Sequence, residues 1–244
     1  MPNYKITIQY DGTDFYGWQS QPNGNTIQDK ITEAIFKITN QKIDLKGSGR
    51  TDAGVHSLGQ VANFLIADGL NLYRFQHSLN AVLPNSIAVK NIAEVEENYN
   101  ARFDAKKRSY LYFLSKNKSP FYQKYSYYYP YLKSDDLSFI KKISKSFFGE
   151  HDFTSFCKTQ TDTENKNCNI FDISFKTQGD FIIFKIEANR FLHGMVRTII
   201  GTLLKSVKNK NNSNIIDEII NAKNRESAGE ALPAKGLFLY KVKY

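Results

Sequence analysis

The sequence predicts an α+β fold of two similar α/β halves, mainly antiparallel sheet with helices on the outer face. Two observations predict it. Strand-like runs alternate with only a few helical stripes, which favours antiparallel sheets over a doubly wound parallel one. The element order also begins again after the basic stretch Arg102 to Arg108. The boundary is placed near residues 104 to 108, giving an N-terminal domain of residues 1–104 and a C-terminal domain of residues 105–244. No sequence identity between the halves is visible, so the duplication rests on element order alone.

In the first half, Tyr4, Ile6, Ile8 and Tyr10 alternate with polar residues as a strand requires, and Asp11-Gly12 and a Gly/Asn/Pro-rich loop end the run. Ile27, Ile31, Ala34, Ile35 and Ile38 then recur at helical spacing, with Thr26 as N-cap and Asp29 beside the positive helix end. A short strand over Ile43 to Lys46 leads into the loop Gly47 to Gly54, and Gln60 to Ile66 reads as a further strand. Leu72, Phe75, Leu79 and Val82 form a second helical stripe closed by Pro84, before a strand from Ser86 to about Val95.

In the second half, a strand over Tyr110 to Leu114 precedes a helix from a Ser134 cap through Leu137, Ile140, Ile143 and Phe147. Paired strands follow around Gly179-Asp180, then a long helix from Phe191 to about Val207. A polar Asn/Lys link, a short helix and a closing strand over Gly236 to Lys243 complete the chain.

The chain has 244 residues, 41% of them hydrophobic, with 18 Phe and 15 Tyr. That content requires a buried core and excludes global disorder. No window of about 18 apolar residues occurs, so no spanning helix is expected. The start, Met1-Pro2-Asn3-Tyr4-Lys5, has no secretory core, and the cysteines, Cys157 and Cys168, read as reduced thiols of a cytoplasmic protein. Lys and Arg number 33 against 24 acidic residues, a net charge of +9, which makes polyanions the natural partners to consider.

The densest cluster of special residues is Gly49-Arg50-Thr51-Asp52-Ala53-Gly54-Val55-His56. It fails as a dinucleotide fingerprint, because Asp52 stands where the third Gly belongs, and as a phosphate loop for want of Gly-Lys-Ser/Thr. A plain turn capped by Asp52 is the alternative that composition favours. Metal binding is poorly supported: the four histidines, His56, His77, His151 and His193, are scattered, and no Cys-x-x-Cys occurs. Serine chemistry lacks its Gly-x-Ser-x-Gly elbow. A carboxylate is left as the best candidate for catalysis.

That string resembles the signature of the tRNA pseudouridine synthase A family, and other patterns of that family follow in order. They are Tyr10-Asp11-Gly12-Thr13 with Gly17-Trp18-Gln19 and Gln21-Pro22-Asn23; Leu79-Asn80 with Leu83-Pro84; Ala101-Arg102-Phe103 through Arg108-Ser109-Tyr110; Gly149-Glu150-His151-Asp152-Phe153; Phe191-Leu192-His193-Gly194-Met195-Val196-Arg197; and Pro233-Ala234-Lys235-Gly236-Leu237. The resemblance covers nearly the whole chain. It implies two halves whose sheets join across a central basic cleft. It also implies a cofactor-free homodimer that isomerises uridine to pseudouridine at nucleotides 38 to 40 of the tRNA anticodon stem-loop.

By the same resemblance Asp52 is the catalytic aspartate. An ionised carboxylate beside the sugar can attack C1′, stabilise positive charge there or remove a ribose proton, and the sequence does not choose among these. Arg197 matches the arginine that partners the carboxylate; a solvated Arg on an amphipathic helix is the ordinary alternative. Gly194, Thr198 and Gly201 would give its helix a small face for close approach to another backbone. Tyr110 resembles the tyrosine that stacks on the flipped uracil, although a core strand Tyr beside Tyr112 is the default reading. Leu237 matches an apolar residue near the base and is equally ordinary as core. Arg50 is expected to fill the place the base vacates, or else to bridge the loop.

Arg102, Lys106, Lys107 and Arg108, with Lys205, Lys208 and Lys210, are candidates for attracting phosphate. The run Tyr125, Tyr127, Tyr128, Tyr129, Tyr131 invites RNA stacking, an edge strand or a dimer contact. Two departures from the family pattern, Gly194 in place of a second His and Glu230-Ala231-Leu232 before Pro233, bear on RNA fit more than on chemistry. The competing functions are a catalytically silent RNA-binding protein or tRNA folding aid, and a base-releasing nucleoside glycosidase. Asp52 argues against the first, since a pure binder gains nothing from a carboxylate facing phosphate.

Overall fold

The computed structural model describes residues 1–22, 24–159, 163–209 and 212–244. The chain folds as two compact units, Met1–Lys106 with Phe238–Tyr244, and Lys107–Leu237. Together they contain mixed α/β structure whose strand pairings are mostly antiparallel.

In the first unit β1 (Asn3–Tyr10) gives way to α1 (Ile27–Thr39), β2 (Lys46–Gly47), β3 (His56–Leu65), α2 (Leu72–Val82) and β4 (Ile87–Val95). β1 is central, antiparallel to both β3 and β4. Its alternating Tyr4, Ile6, Ile8 and Tyr10 join Ile27, Ile31, Ala34 and Ile35 of α1 and Phe75 and Leu79 of α2 in one core. The Thr26 Oγ1 accepts the Asp29 N–H at 3.2 Å and donates to the Asp29 carboxylate at 2.6 Å, so cap and first-turn acid act as one device. Asn80 fastens α2 to β4 by bonding both the N–H and the C=O of Val89, at 2.7 and 2.9 Å.

Two elements depart from the periodicity. The strand expected from Gln60 starts at His56, because the polar His56 and Ser57 are buried there against Phe238 and Leu239; farther along, Gln60 and Asn63 are buried with partners in Ser48 and Asn3. The strand expected over Ile43 to Lys46 shrinks to Lys46–Gly47, since the Leu45 carbonyl is taken by the Gln28 side chain at 2.8 Å rather than by a neighbouring strand.

The second unit runs β5 (Lys107–Ser115), β6 (Tyr127–Tyr128), α3 (Ser134–Ile143), β7 (Gly149–Asp152), β8 (Asn167–Gln178), β9 (Phe181–Ala188), α4 (Met195–Ser206) and α5 (Ile215–Ala222). β9 pairs antiparallel with β5 and β8, and β7 extends β8. Ser134 is the first helical residue of α3 rather than its cap; the Asp136 carboxylate caps from within, accepting the Lys133 N–H at 2.8 Å. α3 ends at Ile143, and residues 144–147 tighten into a 3₁₀ turn. α4 begins at Met195 and not at Phe191, because Leu192 to Gly194 form a turn closed by the Met195 N–H on the Leu192 carbonyl at 3.1 Å.

The closing strand β10 (Leu237–Lys243) returns to the first unit from Phe238 onward, where Phe238 and Leu239 pair in parallel with His56 and Ser57 of β3. The compact units therefore divide at Lys106/Lys107 and again at Leu237/Phe238, whereas the sequence reading kept residues 105–244 together. Pairing of Phe238 and Leu239 with a strand far back in the chain carries the terminal residues into the first unit, and no local pattern encodes it.

Candidate active site

The loop carrying Asp52 is held on both sides, through its main chain and through the Ser48 and Thr51 hydroxyls. The Ser48 N–H bonds the Val61 carbonyl at 2.7 Å, and the buried Gln60 links the Ser48 hydroxyl at 2.6 Å to the Gly49 carbonyl at 2.9 Å. On the other side the Tyr10 hydroxyl meets Thr51 Oγ1 at 2.8 Å, the Trp18 N–H donates to the Thr51 carbonyl at 3.1 Å, and the Gly54 N–H reaches the Phe15 carbonyl at 3.3 Å. Gly17 has φ +95°, and a Cβ there would lie 2.4 Å from the Thr51 oxygen, so only glycine lets the two backbones meet. The strings at residues 10–13, 17–19 and 49–56 are thus parts of one contact network.

Within that brace Thr51 is buried, Asp52 half-buried and Arg50 exposed. A carboxylate placed this way stays open to a substrate while its backbone cannot drift. His56, fully buried and stacked on Phe238 at 4.6 Å, was missed as a bracing residue. Its Nδ1 stands 3.1 Å from both the Gly12 nitrogen and Asp11 Oδ1. One nitrogen cannot accept from the first and donate to the second at once, so the hydrogen on Nδ1 decides which of the two contacts the ring holds. Only its place in the motif string hinted at this.

In the second unit Tyr110 lies on β5, opposite Ile186 of β9, with its ring edge-on to Phe191 at 5.1 Å. Tyr112, two residues on and on the same strand face, is fully buried, and its hydroxyl donates to the Pro233 carbonyl at 2.8 Å. Burial pushes that hydroxyl's pKa up, with the Arg197 charge working against the rise. Arg197 is half-buried on α4; its Nε donates to the Leu232 carbonyl, and its own carbonyl accepts the Leu232 N–H at 3.3 Å. It is therefore fastened to the chain entering β10 and is not a solvated helix arginine. Tyr112 and Arg197 grip adjacent residues of that segment, and Leu237 beyond it is 6% exposed.

The small face expected on α4 is real at Gly201, where a Cβ would come within 1.9 Å of the Glu230 oxygen, and at the buried Thr198. Gly194 precedes the helix and takes no part in that approach. Asp52 and Arg50 thus belong to the first unit, and Tyr110, Arg197 and Leu237 to the second.

In the basic stretch Lys107 pairs with the buried Glu187 at 3.7 Å and lies 4.4 Å over the Phe171 ring, and Arg108 donates to the Asn189 carbonyl at 2.8 Å, so both also make contacts within the second unit. Arg102, Lys106, Lys205 and Lys208 are exposed, whereas Lys210 and the motif residue Asn23 fall outside the described residues. Among the described residues no three His, Cys, Asp or Glu are placed to hold a metal ion, and no helix is long and apolar enough to cross a membrane. Both cysteines are buried, and burial pushes the Cys168 thiol up to about 12, which keeps it from acting as a thiolate.

A family described as tRNA pseudouridine synthase matches residues 6–104 and 143–244. The chain is 42% identical to tRNA pseudouridine synthase A of Caldicellulosiruptor saccharolyticus, with all of both chains covered. It is also 42% identical to the protein of that name from Brachyspira hyodysenteriae, covering 98% of this chain and 96% of the relative. Identity to tRNA pseudouridine synthase A 2 of Clostridium perfringens is 39%, again over all of both.

Proposed function

The chain belongs to the tRNA pseudouridine synthase family, and from that premise we propose that Asp52 is the group that acts on the ribose of the target uridine. The reaction is isomerisation of uridine to pseudouridine in tRNA. The N1–C1′ bond breaks, the uracil turns while still held, C5 joins C1′, and N1 takes up a proton as C5 gives one up. Atoms and electrons balance within the nucleotide, so neither a redox partner nor a group donor enters.

The target uridine is one of nucleotides 38 to 40 in the anticodon arm, where the base must leave its stack at a cost of about a few kcal/mol. Tyr110 stacks on the flipped uracil, Leu237 packs beside it, and Arg50 takes the vacated place. Arg197 partners the carboxylate, which away from water requires an opposite charge. This reading assigns residues of both units to one uridine, in the basic cleft of a homodimer, and places the protein in the cytoplasm.

The observation that supports it most is the half-buried Asp52 on a loop whose main chain is bonded at Ser48, Gly49, Thr51 and Gly54. Bracing of that kind serves a group that must meet a reacting atom within a fraction of an ångström. The test is tritium release from C5-labelled uridine in unmodified tRNA. Asp52→Asn should lower turnover by at least about 10²-fold to 10³-fold while tRNA affinity stays within a factor of two. Normal turnover by the variant, or free uracil as the wild-type product, would end the proposal.

A further inference from the structure

The segment from Lys116 to Lys133 contains seven aromatic residues and four lysines and no acidic residue. It is fastened to the second unit by a few points. Tyr127 and Tyr128 pair in parallel with Leu114 and Ser115 of β5, the Tyr129 N–H bonds the Ser115 carbonyl at 2.9 Å, and the Tyr122 ring meets Phe181 edge-on at 5.1 Å. Strand alternation turns Tyr127 and Tyr129 partly inward and Tyr128 outward. Tyr131 continues the ladder, edge-on to Tyr129 at 5.3 Å, yet is 74% exposed, and Phe121 is 84% exposed. Lys118 and Lys124 are exposed alongside them.

Large apolar rings left in water on an anchored segment mark a contact surface. Its charge selects the partner. A second copy of this chain docking this segment on itself would set two lysine-bearing surfaces with no acidic residue against each other, and lysine is depleted from protein–protein interface cores. A polyanion reverses the sign of that interaction, and bases offer flat faces to the rings.

We infer that residues 116–133 form a second RNA contact, in which Phe121 and Tyr131 stack on unpaired nucleotides of the tRNA substrate while Lys118 and Lys124 meet its phosphates. The inference rests on the proposed activity only for the identity of the RNA. It concerns none of the residues assigned to the uridine.

The experiment uses full-length unmodified tRNA and two variants of the whole protein, Phe121→Ala with Tyr131→Ala and Lys118→Gln with Lys124→Gln. Because these side chains are exposed, the thermal midpoint should not move. The aromatic pair should raise Kd and KM at least about 30-fold with kcat unchanged. The lysine pair should flatten the slope of log K against log salt by about 1.5. An unchanged Kd together with an unchanged slope overturns the inference. So does a shift toward monomer in sedimentation with tRNA affinity preserved at saturating protein, which would make the surface a subunit contact. Absence of pseudouridine formation by the wild type with tRNA binding intact would instead count against the proposed activity and leave this surface standing as an RNA contact.

Discussion

In the first unit the Asp52 loop is braced by main-chain bonds from residues 15 to 18 and by a glycine that lets two backbones touch, whereas in the second Tyr112 and Arg197 stand on a strand and a helix and are braced through their own side-chain polar atoms. A loop has no ladder of its own, so its rigidity comes from closeness, and closeness excludes extra atoms. A strand or helix is already rigid, so its site residues need only be tied at the tip. The loop should therefore fail when atoms are added, and the ties of Tyr112 and Arg197 when atoms are removed.

The largest effect is expected at Gly17→Ala. The methyl would sit 2.4 Å from the Thr51 oxygen on a residue with φ +95°, so crowding and conformational strain together should cost about 2–4 kcal/mol in urea unfolding. Turnover should fall at least about tenfold; a variant as stable and active as wild type would show that the loop is not held by closeness. Arg197→Met sharpens the other half of the comparison. It keeps the volume and removes the donor to the Leu232 carbonyl, for an expected loss of about 2 kcal/mol and a fall in kcat larger than any rise in KM. If only KM moved, Arg197 would be a plain binding residue. Tyr112→Phe is the mildest change. Loss of the hydroxyl from Pro233 should cost about 1 kcal/mol and leave turnover within a few-fold, whereas a neutral result would mean that the Pro233 carbonyl finds another donor.

Much of this was legible along the chain because it is local. The alternation of β1, the Thr26 cap of α1, the Gly179-Asp180 turn between β8 and β9 and the string around Asp52 each depend on residues within a few positions of one another. What escaped was non-local. β7 and β6 are too short to carry a period, and β3 hides polar residues whose burial makes sense only once Ser48 and Asn3 are beside them. The start of α4 moved because apolar spacing continues through the turn at Leu192 and cannot mark where helical bonding begins.

By itself the sequence determined the strand and helix periods, the chemistry available at Asp52, Arg197 and Tyr110, and the family those motifs mark. Tertiary structure alone decided that Lys107 and Arg108 meet Glu187 and Asn189, that the last seven residues join the first unit, and that Arg197 is tied down. The reason is physical. Such outcomes are bonds between groups far apart in the chain, as between Ser57 and Leu239, 182 positions apart, and no local pattern of residues records which distant partner will arrive.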